Sequence, residues 1–183
     1  MQRIGSALVI SLVGSSAFAD APPAVPIVVD TGTVNGTGCP ANTAAIWVPA
    51  DNTAIWVTYS SYIAAVGVGS GPVDSRKNCL LNLRVHAPPG FTYAIAAVDQ
   101  SGFASLAVGA SAVLRTRLFF QGQPVPAFVD HSLPGGFSDF WSFTDTVDPA
   151  ALVFAPCDSS QPHLNIENID EEISFGITHM NMH

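Results

Sequence analysis

Apolar and polar residues alternate with a period of two along most of this chain, and short β-rich runs are separated by turn-forming clusters. Leu81, Leu83 and Val85 share one face of a run, while Asn82, Arg84 and His86 share the other. Leu114, Leu118 and Phe120 likewise oppose Arg115 and Arg117. Tyr93, Ile95 and Ala97 continue the pattern, as do Trp141 and Phe143. A period of two is that of a half-buried strand, whose successive side chains leave opposite faces. Gly, Pro and Asp/Asn clusters recur at 35–42, 49–52, 67–74, 87–90, 99–102, 121–126, 133–139 and 156–162. That spacing of turns predicts a single-domain, all-β antiparallel sandwich with little helix. The exception expected is residues 165–174, where a helix is placed.

The sharpest local feature is the imperfect repeat Ala45-Ile46-Trp47-Val48 and Ala54-Ile55-Trp56-Val57 with Asp51-Asn52 between its halves. It predicts a hairpin. With Asp51 and Asn52 at the turn, Trp47 lies opposite Trp56 and both indoles stand on one side. Ile46, Val48, Ile55, Val57 and Tyr59 then form the core side, so the tryptophans point outward. Pro49 suits an edge or a strand end.

The N-terminus has a different pattern. Arg3, the apolar stretch from Ile4 to Val13 and the small-residue site Ala17-Phe18-Ala19 read as a secretory leader cleaved before Asp20. The stretch is shorter than the ~20 residues of a membrane span, and no other run approaches that length. No membrane insertion is expected. The expected organisation is a leader at 1–19, a Pro-rich extended segment at 20–26, a sandwich domain at 27–168 and an acidic, poorly ordered tail at 169–183.

Cleavage leaves five basic and fourteen acidic residues, a net charge of −9. That balance disfavours nucleic acid and anionic lipid as partners. Charged residues make up only 11% of the chain, so uncharged polar groups must carry the surface, as suits a secreted or extracellular protein; a cell-surface or periplasmic site fits as well. In an oxidising compartment a disulfide is expected from Cys39, Cys79 and Cys157, with one cysteine left unpaired or intermolecular. Three pairings are possible. Cys39 with Cys79 would tie the N-terminal strand to the middle of the domain.

Four segments carry a resemblance. They are Thr33-Val34-Asn35-Gly36-Thr37-Gly38-Cys39-Pro40; Asp74-Ser75-Arg76-Lys77-Asn78-Cys79 with Leu81-Asn82-Leu83; Gly102-Phe103-Ala104-Ser105-Leu106 leading to Phe119-Phe120-Gln121-Gly122; and Ala155-Pro156-Cys157 with Leu164-Asn165-Ile166. Together they resemble the bacterial and fungal secreted proteins grouped as domain of unknown function 4360. The resemblance implies a secreted, disulfide-bonded β domain and no established chemistry. Its pattern continues to a further cysteine that this chain lacks, which implies that Cys157 is without its usual partner and that the last strand is altered.

Catalytic signatures are absent: there is no G-x-S-x-G, H-E-x-x-H or C-x-x-C. The three Glu residues, Glu167, Glu171 and Glu172, crowd into one acidic run. Asp139 and Asp145, six residues apart on one strand face, would stand about 20 Å from each other. Asp130-His131-Ser132 is no triad either, because neighbours on a strand point to opposite faces. No catalytic residue is therefore assigned, and neither a cofactor nor a metal is expected. A hydrolase would need Asp74, His86, Asp99 and Asp139 to meet in space.

Three further clusters carry weaker signals. Asp74, Arg76 and Lys77 form a polar patch that suits an anionic group or, more simply, a capped turn. His179-Met180-Asn181-Met182-His183 mixes ligand types suited to copper but reads first as a frayed end. Asn35-Gly36-Thr37 is an N-glycosylation sequon.

The expected function is a non-enzymatic module that binds a surface, a polysaccharide or an extracellular protein through Trp47 and Trp56. The alternatives are the spatially assembled hydrolase and a purely structural envelope or matrix protein.

Overall fold

A computed structural model describes residues 6–15, 25–156, 162–173 and 178–182. The described strands are β1 (Ser6–Ser15), β2 (Val28–Asn35), β3 (Ala44–Trp47), β4 (Ala54–Tyr59), β5 (Tyr62–Val66) and β6 (Arg76–His86), followed by β7 (Thr92–Ser105), β8 (Ser111–Phe120), β9 (Val129–Pro134), β10 (Ser138–Thr146), β11 (Leu164–Ile173) and β12 (Thr178–Met182). The one helical element among them is the 3₁₀ turn Pro149–Ala151, started by Asp148 Oδ1 accepting from the Ala150 N–H at 2.8 Å.

Two antiparallel sheets result. One runs β3-β4-β1-β7-β12-β5, with β10 on the other side of β7, and the second runs β2-β6-β11-β8-β9. Their inner faces are the apolar halves of the alternation: Ile55, Val57 and Ala64 from the first sheet meet Leu81, Leu83, Leu114 and Ile166 from the second, all essentially inaccessible to solvent. The all-β, antiparallel expectation holds. Residues 165–173 supply strand rather than helix, and the domain boundary drawn at 168 falls inside β11, because Leu164, Ile166, Asn168 and Asp170 alternate inward in one unbroken period of two.

Ser6–Ser15 lies within the segment read as a leader. In the uncleaved chain it is β1, paired with β4 from Ser6↔Tyr59 to Ser11↔Ala54 and with β7 from Val9↔Asp99 to Ser15↔Thr92. Ile10 is fully buried there, in register with Ile55 and Val98.

The disulfide joins Cys39 to Cys79, with Cα atoms 5.5 Å apart. The Asn35-Gly36-Thr37-Gly38 approach to it is tight because the chain runs against β6. Gly38 N–H donates to the Asn78 carbonyl at 2.8 Å, and a Cβ on Gly36, whose φ is +148°, would lie 2.1 Å from that same oxygen. Only glycine fits at residue 36. Cys157 and residues 158–161 lie outside the described residues, as does the Pro-rich segment up to residue 24.

One end of the core is polar. Thr116 Oγ1 lies 2.6 Å from Gln100 Oε1 and 2.9 Å from Asn168 Oδ1, while Asn168 Nδ2 donates to Tyr59 Oη at 2.9 Å. Tyr62 Oη donates to the Asn168 carbonyl at 3.0 Å. Buried hydroxyls ionise reluctantly, so desolvation holds Tyr59 and Tyr62 above the ordinary phenol range.

Asp170 is also buried, yet neither carboxyl oxygen has a hydrogen-bond partner among the described residues. Desolvation raises its pKa well above the usual 3.8. The sign of the pH effect follows. From about pH 4 upward the unfolded chain ionises at this residue while the folded chain keeps its proton, so folding loses stability by up to about 1.4 kcal/mol per pH unit until the folded group titrates. Asp170→Asn removes this term. Denaturation midpoints measured from pH 4 to 8 should show the variant gaining on the native chain as pH rises; a constant difference would contradict the assignment.

Candidate functional site

Alternation places the inner residues of the seven-stranded sheet in the core and leaves its outer face to solvent. On β3 and β4 the register is Trp47↔Trp56, as the repeat predicts. The two indoles are stacked, with centroids 5.3 Å apart and planes 13° apart. Trp47 is 49% exposed on an edge strand, whereas Ile55, Val57 and Tyr59 are buried on the reverse side. The connection is longer than the expected two residues. It runs from Val48 to Thr53, because Asn52, at φ +57°, is drawn inward and accepts the Ile27 N–H at 2.8 Å.

A second aromatic pair stands on the same face. Phe103 of β7 and Phe140 of β10 are paired across the ladder and meet edge to face at 5.3 Å, with Phe140 56% exposed. Sequence reasoning missed these two, although the alternation that buries Trp141 must turn Phe140 outward. From Trp56 the register passes through Val9 to Asp99. Phe103 lies four residues further along β7, so in the uncleaved chain two strand spacings across and four residues along separate the aromatic pairs by about 16 Å.

Along β7 and β10 the face is polar. Thr144 Oγ1 donates to Asp99 Oδ1 at 2.5 Å, Ser142 stands opposite Ser101, and the Ser138 and Ser105 hydroxyls are 3.3 Å apart. Aromatic rings flanking hydroxyls and one carboxylate can offer stacking and hydrogen bonds at the same time.

The other singled-out residues are used locally. Asp74 accepts from Lys77 Nζ and from the Gly71 N–H, each at 2.7 Å, and the Lys77 bond holds its carboxyl below the ordinary range. Arg76 is exposed at the start of β6, opposite Glu171. The patch is a capped turn entering β6. Asn35 is exposed at the end of β2, and the Thr37 hydroxyl of its sequon is 3.1 Å from Asn78 Oδ1.

Asp74, His86, Asp99 and Asp139 do not converge. His86 Nε2 pairs with Asp30 at 2.8 Å, Asp99 with Thr144, and Asp139 accepts the Phe140 N–H at 2.7 Å. His131 instead meets Asp145 at 2.9 Å, with its ring stacked on Phe143 at 4.1 Å. Among the described residues there is no group of three or more His, Cys, Asp or Glu placed to hold a metal. Residues 179–182 form part of β12, paired with β5, so the strand ladder accounts for most of the expected frayed end.

Comparison with known proteins adds family membership but no chemistry. The model described as domain of unknown function (DUF4360) matches residues 26–174. A curated relative from Arthroderma benhamiae, named uncharacterized secreted protein, is 26% identical over 149 residues, which is 81% of this chain and 59% of the relative. The chain therefore spans about three-fifths of that relative's length. No solved structure matches.

Proposed function

Because this chain belongs to the domain of unknown function 4360 family, whose description assigns no reaction, we propose a function from its own surface: a secreted, non-enzymatic module that binds an uncharged polysaccharide on the outer face of the seven-stranded sheet. The observation that carries this reading is the presence of two solvent-facing aromatic pairs, Trp47/Trp56 and Phe103/Phe140, on one sheet face with a hydroxyl ladder beside them. Sugar rings present apolar C–H faces and a rim of hydroxyls. Indole and phenyl rings stack on the first, and Ser101, Ser142, Thr144 and Asp99 can exchange hydrogen bonds with the second. The net charge, −8 in the full chain and −9 without residues 1–19, argues against an anionic glycan. Secretion is supported by the N-terminal leader pattern, the disulfide and the name of the relative.

Trp47→Ala combined with Phe140→Ala removes the most exposed ring of each pair without opening the core. Retention on insoluble neutral glucan, chitin or cellulose should fall at least tenfold, the loss expected when two anchoring rings are truncated, with an unchanged melting temperature. Undiminished retention of the double variant, or no retention of the native chain on any of the three, would end this reading.

A further inference from the structure

A second, separate site lies between the sheets. Where the ends of β8 and β10 diverge, a cavity of about 310 Å³ opens beside the Gln121–Phe128 connection. Val98 of β7, Leu118 and Phe120 of β8, Leu164 of β11, and Val147 and Val153 wall it with aliphatic and aromatic groups. Pro124 and Pro126 contribute to the rim, and their fixed φ angles set that part of the opening in advance. The volume is about ten times the share of one water molecule in the liquid. Water against the apolar walls gives up hydrogen bonds, whereas an apolar body gains contacts with them.

The polar groups at the cavity differ in what they have left to offer. Arg117 is held by Glu167 at 2.6 and 2.8 Å and lies 4.1 Å from the Phe128 ring centroid. Thr116 is engaged with Gln100 and Asn168. Asp145 is different: it lines the cavity, its carboxylate is fixed from one side by His131 Nε2 at 2.9 and 3.1 Å, and a carboxylate has lone pairs for more donors than one. His131 is itself held flat against Phe143. The walls thus select an apolar body, and Asp145 selects a donor while repelling an anion.

We propose that this cavity binds a compact, uncharged apolar molecule carrying one hydroxyl or N–H, its body between the sheets and its donor on Asp145. The polysaccharide face is not involved. N-Phenyl-1-naphthylamine, neutral and with one N–H, should bind the full chain saturably at one per chain, read as a rise in its fluorescence. Leu118→Trp fills the cavity from its wall and should weaken binding at least tenfold. Val153→Trp obstructs it from an exposed rim position, so the test survives a fold that rejects the first variant. Trp47→Ala should leave probe binding unaltered. As competitors, 1-naphthol should displace the probe several-fold better than naphthalene, and Asp145→Leu should erase that preference. A native chain without saturable binding, or Trp variants at both positions that bind as the native chain does, would overturn the site. Equal displacement by the two competitors would overturn the role given to Asp145.

Discussion

Replacing Cys39 and Cys79 by Ser should lower the free energy of unfolding by about 4 kcal/mol, the entropy that a link across 40 residues removes from the unfolded chain. The effect is comparable to a large core truncation, and both cysteines are buried where the Gly36–Gly38 segment crosses β6. Chemical denaturation of the native and double-Ser chains measures it directly. A loss below about 1 kcal/mol would mean that the backbone bond between Gly38 and Asn78 and the packing of Tyr62 against Gly38 hold the crossing without the link.

The second large effect concerns the N-terminus. A chain beginning at Asp20 should melt well below one that keeps residues 1–19, because β1 fills the lane between β4 and β7. Burial of Ile10 alone is worth about 1.5 to 3 kcal/mol. The ladder bonds to Ala54–Tyr59 and Thr92–Asp99 are lost with it. In the shortened chain the amides of β4 and β7 that donate to β1 should exchange with solvent faster, and two strand edges become available for pairing with another extended segment. Equal melting temperatures and equal protection would show that Ser6–Ser15 serves export alone and contributes nothing to the folded domain.

Part of the candidate site is legible in one dimension. Trp47 and Trp56 sit in a repeat whose register any antiparallel hairpin preserves, so their opposition and their outward direction follow from alternation. Phe103 and Phe140 are 37 residues apart, and nothing in the sequence pairs β10 with β7 rather than with another strand. The same limit applies to His131 and Asp145. Sequence sets each beside its chain neighbours only, and they meet because β9 and β10 belong to different sheets whose margins come together there. Asp170 stands in an acidic stretch with Glu171 and Glu172, where composition alone points to solvent. Its neighbour across the ladder is Leu114, and the period of two that buries Ile166 buries it as well.

What the sequence by itself determined is the period of two, the places where turns interrupt it, the apolar face of each run and the hairpin that sets two indoles side by side. These are local consequences of backbone geometry, in which side chains one residue apart leave opposite faces. Strand order, the Cys39–Cys79 partnership, the meeting of Phe103 with Phe140, and the cavity ending at Asp145 were decided only by the tertiary structure. Backbone hydrogen bonds between strands are indifferent to side-chain identity, so pairing at long range is settled by how two whole sheets bury their apolar faces together.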